Sequence, residues 1–532
     1  MRLIIIIMIS NLLISSYFPE NYELRTFYDE SQLKRTTIGL SSNGIIDIML
    51  YETDKLIIGS AGLGFGTKDE DMNWQFYSFE DTNLPDGGNP AIAVNDEVIV
   101  VAGAIGVEIG SATEQKGTGI SFSIDGGETW IYTEQPTDIC EDGSTSCSNI
   151  DLIWGENTVQ QLAITVAISN VTYDLDIHGD YIYAASWAGG IRRLNFKESP
   201  DVWQVIALPM DQDLSMNYNN PNYDWDSYEL NPREPADGGN NNHKGFSVFV
   251  DEDTLWVGTA NGINKGIIEE EFINWERHYT YLDGISGNWV VGFTKQTKLF
   301  NEDIHRIWAI TWSVSAPEQN SLSYSDDFGA SWESVDFFRQ QDFKVYQIYS
   351  QDEWVFAATD GGLYISKDGV YWEKLDRPIN QIDGSQILSD FYLSVFYNSD
   401  LGLWVGTNDG LAQVNFPNQS NWNIYQYWPD QSDEKFYAFP NPFDLDSDRI
   451  FDNDGHVRFK FISYSNQCEI QIFDFSMNPI ISLSNCSQKD GEFGTAIWNG
   501  RNELGSQVSN GMYFCRLLID GDYYWTKLLV LR

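Results

Sequence analysis

One short motif recurs along this chain and limits the folds that the chain can adopt. It reads SIDGGETW at 123–130, SDDFGASW at 325–332 and, shortened, SKDGVYW at 366–372, with a degraded copy, TKDEDMNW, at 67–74. Serine, aspartate and glycine at this spacing favour a tight turn, because the aspartate can accept hydrogen bonds from its own turn and glycine permits a left-handed conformation. The recurrence indicates one supersecondary unit that is used repeatedly.

A second set of strings accompanies this motif. Strand-like runs end in small residues and a turn, and seven of them occur: KLIIGSAGLG (55–64), VIVVAGAIG (98–106), YIYAASWAGG (181–190), LWVGTANG (255–262), IWAITW (307–312), WVFAATDGG (354–362) and LWVGTNDG (403–410). Small residues near a hub let several sheets converge, and larger aromatic residues fill the space between the sheets as they diverge. Four strands per unit, arranged radially, form a β-propeller, which leaves few exposed sheet edges.

We therefore predict an all-β protein built on a seven-bladed β-propeller. Six or eight blades are the alternatives, because the excess of chain between Val98 and Tyr181 is either an insertion or a further unit. The turn motif is expected to be a folding device whose tryptophans pack between neighbouring units. The residues given this structural role are Ser123, Asp125, Gly127, Trp130, Ser325, Asp327, Gly329, Trp332, Ser366, Asp368 and Trp372.

The turn motifs resemble the Asp-box, or BNR, repeats of sialidases, sortilin-type receptors and photosystem assembly factors. The LWVGTANG and LWVGTNDG strings are similar to the propeller repeats of hybrid two-component sensors. The resemblance covers roughly residues 45–428 and implies the propeller fold. It implies no activity, because one fold hosts many functions.

The last hundred residues carry a different pattern. HVRFKFIS and CEIQIFDF alternate apolar and polar residues, as half-buried strands of a small β-sandwich do. With YAFPNPF (437–443), IQIFDFSMNPI (470–480) and WNGRNELGSQVSNGMYFCRL (498–517), this segment resembles the type A sorting domain of the type IX secretion system, which is related to the immunoglobulin-like domain of the flagellar hook-capping protein. Asn499 replaces that family's usual aspartate, and Met477-Asn478 replaces its usual glycine turn. The resemblance implies the type IX secretion machinery as a partner.

The N-terminus, MRLIIIIMISNLLISS, reads as an export signal, with Arg2 before a short apolar core and Ser15-Ser16 at its exit. No later run approaches the ~20 apolar residues that a membrane span needs. We predict a signal peptide at 1–16, the β-propeller at 17–428, a linker at 429–436 and the C-terminal sorting domain at 437–532. We expect a bacterial protein that is exported through the periplasm and outer membrane and is then secreted or held at the cell surface. Once the signal is removed, it should be a monomer without a membrane span.

Five cysteines follow the signal: Cys140, Cys147, Cys468, Cys486 and Cys515. A disulfide between Cys140 and Cys147 would close the polar loop EDGSTS. Cys468 and Cys486 are a possible pair in the C-terminal domain, with Cys515 left over, but the spacing leaves the pairing of these three open. The odd count argues against a disulfide-dense scaffold, so a hydrophobic core must carry the stability.

The charge excludes one class of partner. The net charge is −47, with no basic run to offset it. Phosphate backbones would be repelled, so nucleic acid is not an expected partner.

Two long stretches interrupt the repeats, one before Tyr181 and one between Tyr181 and Leu255. Long loops on a rigid scaffold tend to carry binding functions, although tolerated surface insertions look the same in a sequence. We expect both to rise on one face of the propeller, with exposed Tyr218, Tyr223, Trp225 and Tyr228 as candidate contacts for a glycan, peptide or protein. His243, beside an asparagine run, is expected to face solvent.

Signatures of enzyme chemistry are sparse. A sialidase needs three arginines that converge on a carboxylate, and none of the arginines lies in the Arg-Ile-Pro context of that family. Other glycoside hydrolases need only two carboxylates at a suitable separation, and one sequence with 78 acidic residues cannot single out a pair. No cofactor is required, although a calcium ion is possible at DLDSDRIFDNDG, where the candidate ligands are Asp444, Asp446, Asp448, Asp452 and Asp454.

These observations favour a secreted or cell-surface, non-enzymatic propeller that binds a glycan, peptide or protein through loops on one face. The alternative is a secreted glycoside hydrolase that acts on polysaccharide in the central cleft; its catalytic residues are unknown. A third possibility, an assembly factor like the photosystem propellers, fits the turn motifs but not the C-terminal segment.

Overall fold

The computed structural model describes residues 40–531 apart from 52–54, 62–64, 69–73, 78–82, 111, 141–142, 145–146, 270–271, 301, 383, 428–433, 446–455, 463–467, 485–486, 490–492 and 520. Almost all regular structure in these residues is β-strand. The helices within these described residues are one α-helical segment, Asp336–Gln341, and three 3-10 turns, Pro235–Asp237, Asn241–His243 and Tyr281–Asp283. The all-β prediction is confirmed. The signal peptide and most of the degraded turn motif at 67–74 lie outside the described residues.

Seven four-stranded antiparallel sheets follow one another in the described part of the chain, and in each the strand order equals the chain order. Sheets 1 and 2 are β1 Ile45–Tyr51, β2 Lys55–Ser60, β3 Phe65–Lys68, β4 Trp74–Tyr77 and β5 Ile92–Asn95, β6 Val98–Ile109, β7 Ala112–Ser123, β8 Ile131–Thr133. An insertion then contributes β9 Asn149–Trp154 and β10 Asn157–Leu162. Sheet 3 is β11 Thr172–His178, β12 Tyr181–Ser186, β13 Gly190–Asn195 and β14 Trp203–Ile206.

After a second insertion with β15 Glu229–Leu230, four more sheets complete this series. Sheets 4 and 5 are β16 Gly245–Asp251, β17 Thr254–Thr259, β18 Gly262–Glu269, β19 Phe272–Tyr279 and β20 Trp289–Leu299, β21 Glu302–Trp312, β22 Ser321–Ser325, β23 Glu333–Ser334. Sheets 6 and 7 are β24 Val345–Gln351, β25 Trp354–Thr359, β26 Gly362–Ser366, β27 Glu373–Lys374 and β28 Tyr392–Asn398, β29 Gly402–Thr407, β30 Gly410–Val414, β31 Asn423–Tyr425.

The first strands of these sheets contact one another in a closed cycle: β1 with β5, β5 with β11, β11 with β16, β16 with β20, β20 with β24, β24 with β28, and β28 with β1. A radial ring of four-stranded meanders with the first strand innermost is a β-propeller. The propeller fold predicted from the repeats is therefore confirmed.

The innermost strands pair on one side only, so the backbone groups on their other edge need different partners. Side chains of neighbouring sheets supply several of them. Asp174 accepts from the Val248 amide at 3.0 Å, Gln347 accepts from the Val395 amide at 2.6 Å, and the Ser394 hydroxyl donates to the Ile45 carbonyl at 2.9 Å. These bonds join sheet 3 to sheet 4, sheet 6 to sheet 7, and sheet 7 to sheet 1, which ties the ring together around its channel.

The small residues of the second repeat lie where the sheets approach most closely. A Cβ atom on Gly258 would come within 2.2 Å of the Val290 carbonyl oxygen in the next sheet, and one on Gly406 within 2.6 Å of the Ile45 carbonyl oxygen. A larger residue at either position would force the two sheets apart. The strings LWVGTANG and LWVGTNDG therefore carry glycine because of the close approach near the hub.

The turn motifs have the local geometry that their residue types favour. The Asp125 carboxylate accepts from the Thr129 amide at 2.8 Å, and the Ser123 hydroxyl oxygen accepts from the Gly127 amide at 2.8 Å. Asp327 and Ser325 repeat both contacts with the amides of Ser331 and Gly329 at 2.8 Å. Hydrogen bonds from Thr129 hold the pKa of Asp125 at about 2, below its ordinary range.

The tryptophans of these motifs lie between sheets. Trp332 of sheet 5 packs edge-on against Trp256 of sheet 4, with ring centroids 5.9 Å apart. Trp372 of sheet 6 packs in the same way against Trp308 of sheet 5, at 6.2 Å. Trp130 lies against the core shared by sheets 1 and 2. This placement accords with a structural role for the motif.

The C-terminal residues form a sandwich of two sheets. One sheet has the strand order β32 Phe436–Phe439, β34 Val457–Phe461, β38 Phe493–Trp498, β37 Ser487–Lys489; the other is β33 Phe443–Asp444, β40 Asp522–Leu531, β39 Gly511–Ile519, β35 Glu469–Phe473, β36 Pro479–Leu483. Phe459 and Trp498 of the first sheet meet Ile472 and Leu517 of the second in one core. Cys468 is disulfide-bonded and Cys486 lies outside the described residues. Cys515 is a free, buried thiol.

Candidate functional site

The two insertions rise from the same face of the ring. In each four-stranded meander, the turn between the second and third strands and the connection to the next sheet lie at one face, whereas the turn between the third and fourth strands lies at the other. Segments 134–171 and 207–244 are such connections. We call the side that carries them the insertion face. The turn motifs follow third strands and therefore lie on the opposite face.

The insertions are built into one unit. The hairpin β9–β10 of the first insertion pairs with β15 of the second, Gln160 opposite Glu229 and Gln161 opposite Leu230. The sulfurs of Cys140 and Cys147 are bonded, with their Cα atoms 5.9 Å apart, so the loop between them is closed. The buried Asp138 carboxylate accepts from the Arg192 guanidinium of sheet 3 at 2.8 Å and from the Ile164 amide at 2.7 Å, which anchors the first insertion to the ring.

The four aromatic residues proposed as contacts mostly hold the second insertion together. Tyr228 is buried and donates to the Leu208 carbonyl at 2.8 Å. The expectation that it is exposed is wrong, because the insertion has a core of its own and Tyr228 lies in it. Tyr223 is half-buried, donates to Asp213 and lies with its ring 4.5 Å from that of Trp225. Burial raises the pKa of both Tyr223 and Tyr228.

The other two residues are also engaged. Tyr218 donates to the Glu269 carboxylate of sheet 4, and the Trp225 indole donates to the Asn220 carbonyl at 3.3 Å. Both are half-buried. Tyr223, Trp225 and Tyr228 therefore form one ring cluster within the second insertion, and Tyr218 joins that insertion to sheet 4.

His243 does not face solvent, which corrects the expectation from its neighbours. It is 1% exposed. Its Nδ1 accepts from the Asn231 amide at 2.9 Å, which places the ring proton on Nε2, 3.2 Å from the Leu208 carbonyl. Burial lowers the pKa of His243 to about 4, so the ring is neutral at pH 7.

The opening of the central channel on the insertion face is lined by aromatic residues. Tyr173, Phe246 and Tyr346 occupy bulged positions at the start of the inner strands of sheets 3, 4 and 6. Trp187 follows the second strand of sheet 3, and Trp289 begins the inner strand of sheet 5. We call these five residues the aromatic mouth. All except Phe246 are half-buried.

Four members of the aromatic mouth form one cluster across three sheets. The Phe246 ring lies 5.2 Å from Trp187, 5.9 Å from Trp289 and 5.9 Å from Tyr173. The Lys244 ammonium lies 5.0 Å from the centre of the Trp187 ring, where a cation is attracted by the ring face. Rigid aromatic rings that carry polar groups are suited to recognising sugar rings and protein partners alike.

Sequence reasoning missed the aromatic mouth, although a signal was present. At the three bulges, an aromatic residue is followed directly by Asp174, Ser247 or Gln347, the side chains that reach the neighbouring sheet. The two tryptophans come from different turns and gave no shared pattern.

Three carboxyl groups lie deeper in the channel, on the inner strands of sheets 1 and 3. Asp47 accepts from the Ile48 amide and the Gln347 amide group, each at 2.9 Å; Asp176 accepts from the Val250 amide at 2.6 Å. Burial raises the pKa of Asp47 and of Asp176 to about 6, and that of Asp174 well above its ordinary value, against the opposing effect of these hydrogen bonds. The groups satisfy backbone donors on the inner strands, which is a structural role.

The raised pKa values predict a pH dependence that one variant exposes. A carboxyl whose folded pKa exceeds its unfolded pKa contributes stability when protonated, and that contribution is lost as pH rises through about 6. The Asp47→Asn variant has no carboxyl at this position and so lacks this loss. Between pH 4 and pH 8, we expect the free energy of unfolding of the wild type to fall relative to that of Asp47→Asn by up to about 3 kcal/mol. Urea unfolding at both pH values measures it. The exposed Asp226→Asn is the control, and an equal shift in both variants would contradict the assignment.

The C-terminal sandwich contacts the insertion face through a buried ion pair. The Arg458 guanidinium of β34 donates to both carboxylate oxygens of Asp409, in the β29–β30 turn, with Nη2 2.6 Å from Oδ2. It also donates to the Gln386 carbonyl at 3.2 Å. Burial alone would raise the pKa of Asp409, but the Arg458 charge outweighs it and holds that pKa well below its ordinary range. Burial and Arg458 together lower the pKa of the adjacent His456.

Features of metal and membrane sites are not found in the described part of the chain. Among the residues that the structure describes, no three histidine, cysteine or acidic side chains are placed to hold a metal ion. Of the proposed calcium ligands, Asp444 is described, whereas Asp446, Asp448, Asp452 and Asp454 lie outside the described residues. No helix in the described ranges is both long and apolar enough to cross a bilayer.

Comparison with known proteins gives structural likeness at low sequence identity. No protein-family model matches the sequence, and no curated protein matches it as a relative. Among solved structures, the chain is similar to PorZ, a surface component of the type IX secretion system of Porphyromonas gingivalis, at 13% identity and a TM-score of 0.38, over 92% of this chain and 66% of that one. It is also similar to YCF48 from Cyanidioschyzon merolae, at 12% identity and a TM-score of 0.41, over 72% and 98%.

A third similar structure is the extracellular domain of a putative hybrid two-component system from B. thetaiotaomicron, at 12% identity and a TM-score of 0.22, over 92% of this chain and 85% of that one. The propeller assignment itself rests on the strand pairing and the closed ring of this chain.

Proposed function

We propose that this protein is a secreted or cell-surface, non-enzymatic β-propeller that binds a glycan at the aromatic mouth. Its ring is a seven-bladed propeller with Asp-box turns, and its C-terminal sandwich is an immunoglobulin-like sorting domain that takes the chain to the type IX secretion machinery. The observation that carries the binding proposal is the cluster of tryptophan, tyrosine and phenylalanine rings that three sheets bring together at one channel opening.

The position of the aromatic mouth supports this proposal. It lies on the insertion face, which also carries the two insertions and the contact with the sandwich, so these segments are placed where they can limit which ligands enter. Tryptophan and tyrosine present large contact area at a low cost in conformational entropy, which is why such residues dominate binding energies. The half-buried Trp187 and Trp289 are therefore the residues that we expect to contact the ligand.

The alternative, a glycoside hydrolase, needs a pair of carboxyl groups that is free to act on a bond. Of the channel carboxyls, Asp47, Asp174 and Asp176 already accept backbone hydrogen bonds from their own or a neighbouring strand. This engagement favours binding over hydrolysis.

Loss of the mouth tryptophans tests the binding proposal. Trp187→Ala and Trp289→Ala should each weaken binding by about tenfold or more to any polysaccharide that the wild type binds. The reason is that truncating a buried aromatic anchor costs more than about 1.4 kcal/mol of binding free energy. Binding is measured with the secreted protein against a panel of polysaccharides, by depletion from solution, and the supernatants are assayed for released sugars.

Trp225→Ala, in the second insertion, is the matched control. If the two mouth variants bind like the wild type and Trp225→Ala does not bind, the ligand site lies in the second insertion and not at the aromatic mouth. Release of sugar by the wild type would favour the hydrolase.

A further inference from the structure

The C-terminal sandwich has a groove that the binding site on the propeller does not use. It has a volume of about 670 Å³ and is lined by Glu434 to Ala438 on one side and by Tyr524 to Lys527 on the other, with Asn441 at one end. The two sides belong to β32 and β40. β32 is the outer strand of its sheet, and β40 is covered on its outer side only at Val530 and Leu531, by the two-residue strand β33. The groove therefore lies between two strand edges.

The pairing of β40 shows which of its backbone groups face the groove. In an antiparallel pair, the N–H and C=O groups of alternate residues point toward the partner strand and those between them point away. Leu529 donates its amide to the Asn441 side chain at 3.0 Å, and the Asn441 amide group donates to the Lys527 carbonyl at 2.9 Å. Residues 523, 525, 527 and 529 therefore turn their backbone groups away from β39 and toward the groove.

The same reasoning applies to β32. The Ile462 amide, directly after β34, donates to the carbonyl of Lys435, directly before β32, at 3.2 Å. Phe436 and Ala438 are one residue out of phase with Lys435 and therefore turn their backbone groups to the groove. In the described ranges, no strand pairs with the groove side of β40 between 522 and 529.

One end of the outer edge of β40 is already hydrogen-bonded to a neighbouring strand. Strand β33 pairs in parallel with β40 at Phe443–Val530 and Asp444–Leu531. Next along the edge, the side-chain amide of Asn441 makes the donor and acceptor contacts that a peptide group of a neighbouring strand would make. The outer edge of β40 is therefore paired by β33 and then by Asn441, and the next backbone groups along that edge are those of Trp525 and Tyr523. A ligand that continues this pairing needs alternating N–H and C=O groups, which a peptide backbone has.

Side chains around the edge indicate what such a strand should carry. Tyr523 and Trp525 are 57% and 49% exposed on the outer face of the sheet, and Arg516 lies 5.0 and 5.5 Å from the centres of their rings. Aromatic residues pair well across strands with β-branched ones, and opposite charges in facing positions are stabilising. Lys527 and Lys435 flank the groove, so an acidic side chain opposite Lys527 is favoured. A second copy of this chain is disfavoured as the source, because each copy carries a net charge of −47.

We propose that this groove binds an extended peptide segment of a partner protein, which adds to the edge of β40 as a further strand. The segment carries an acidic residue opposite Lys527 and β-branched or aromatic residues opposite Trp525. Backbone hydrogen bonds supply the affinity of such strand addition, and alternate side chains supply the specificity.

The probe is the acetylated and amidated peptide Val-Thr-Val-Glu-Val-Thr-Val with a fluorescent label, whose palindromic pattern suits either strand direction. At about 1 mM or below it should bind the full-length protein, raise fluorescence anisotropy and slow hydrogen exchange at the Trp525 and Lys527 amides. Trp525→Pro removes the amide that faces the groove and leaves the bonds to β39 in place. It should weaken binding at least about tenfold.

Trp525→Thr is the matched variant, since it loses the ring and keeps the amide, and it should bind within about threefold of the wild type. The thermal midpoint of both variants establishes that they are folded. Unchanged exchange at Trp525 and Lys527 in the presence of the probe would overturn the proposal. So would equal binding by wild type and Trp525→Pro, or equal binding of a control peptide with proline at its third and fifth positions.

Discussion

Replacing Arg458 with alanine should loosen the C-terminal sandwich from the propeller, because it leaves the Asp409 carboxylate without its main partner. Asp409 is 4% exposed and Arg458 7% exposed, so little water is available to solvate the remaining charge. Removing one member of a buried ion pair costs about 3–5 kcal/mol. In urea unfolding followed by tryptophan fluorescence, the sandwich should unfold at a lower urea concentration than in the wild type and separate from the transition of the ring.

A second pair offers a matched control for this variant. Arg277 and Asp283 lie 2.8 Å apart but are partly exposed, with side-chain accessibilities of 39% and 25%. Arg277→Ala should cost only about 0–1 kcal/mol. The double variant Arg458→Met with Asp409→Asn should recover much of the loss, because neither side chain then carries a buried charge. Equal effects of Arg458→Ala and Arg277→Ala would show that the interface does not depend on the ion pair.

Deleting residues 437–532 should abolish appearance of the protein in the medium and leave the propeller inside the cell. Almost no truncated protein should reach the medium, since the proposed sorting function lies in the sandwich alone. Immunoblots of medium, surface and cell fractions measure it. The ring should remain resistant to protease, because its sheets are complete without the sandwich and Asp409 becomes solvated once Arg458 is gone. Arg458→Ala is the companion variant: it disturbs the contact between the domains and should still be exported.

A truncated protein that reaches the medium at the wild-type level would contradict the sorting role. A truncated protein that is degraded in the cell would point to a role of the sandwich in stability instead. The Arg458→Ala variant distinguishes these outcomes, because it retains the whole sandwich.

Features that depend on neighbouring residues in sequence could be predicted. The turn around Asp125 is closed by Ser123, Gly127 and Thr129, all within a few residues, so the residue types are enough to indicate the geometry. The glycine at position 258 could be assigned to the hub because its string recurs at 406. Both features are local or repeated, and the sequence displays them directly.

Features that depend on packing between distant segments could not be predicted. His243 follows three asparagines, a run that indicates solvent, yet the Asn242 side chain exchanges hydrogen bonds with Asn264 at 2.8 and 3.0 Å. Amide groups that satisfy one another can be buried, and they take His243 inside with them. Tyr228 is buried for a related reason: the second insertion folds against sheets 3 and 4 and acquires its own core.

The candidate site shows the same limit. Trp187 and Trp289 belong to different sheets and become neighbours only when sheets 3, 4 and 5 pack side by side, with Phe246 between them. The insertions are visible in the sequence because they interrupt a repeat, whereas the tryptophans of the aromatic mouth lie within the repeated sheets and share no sequence pattern.

The way the ring closes has a consequence for how the chain folds. Each of the seven sheets is formed by consecutive residues, and in the described ranges no strand from one end of the chain completes a sheet at the other. The junction of the last sheet with the first is made by contacts such as Tyr427 to Asn43, 384 residues apart. Short-range pairings form early and long-range contacts late. Blades can therefore form one after another as the chain emerges, and an open, crescent-shaped intermediate should precede the finished ring.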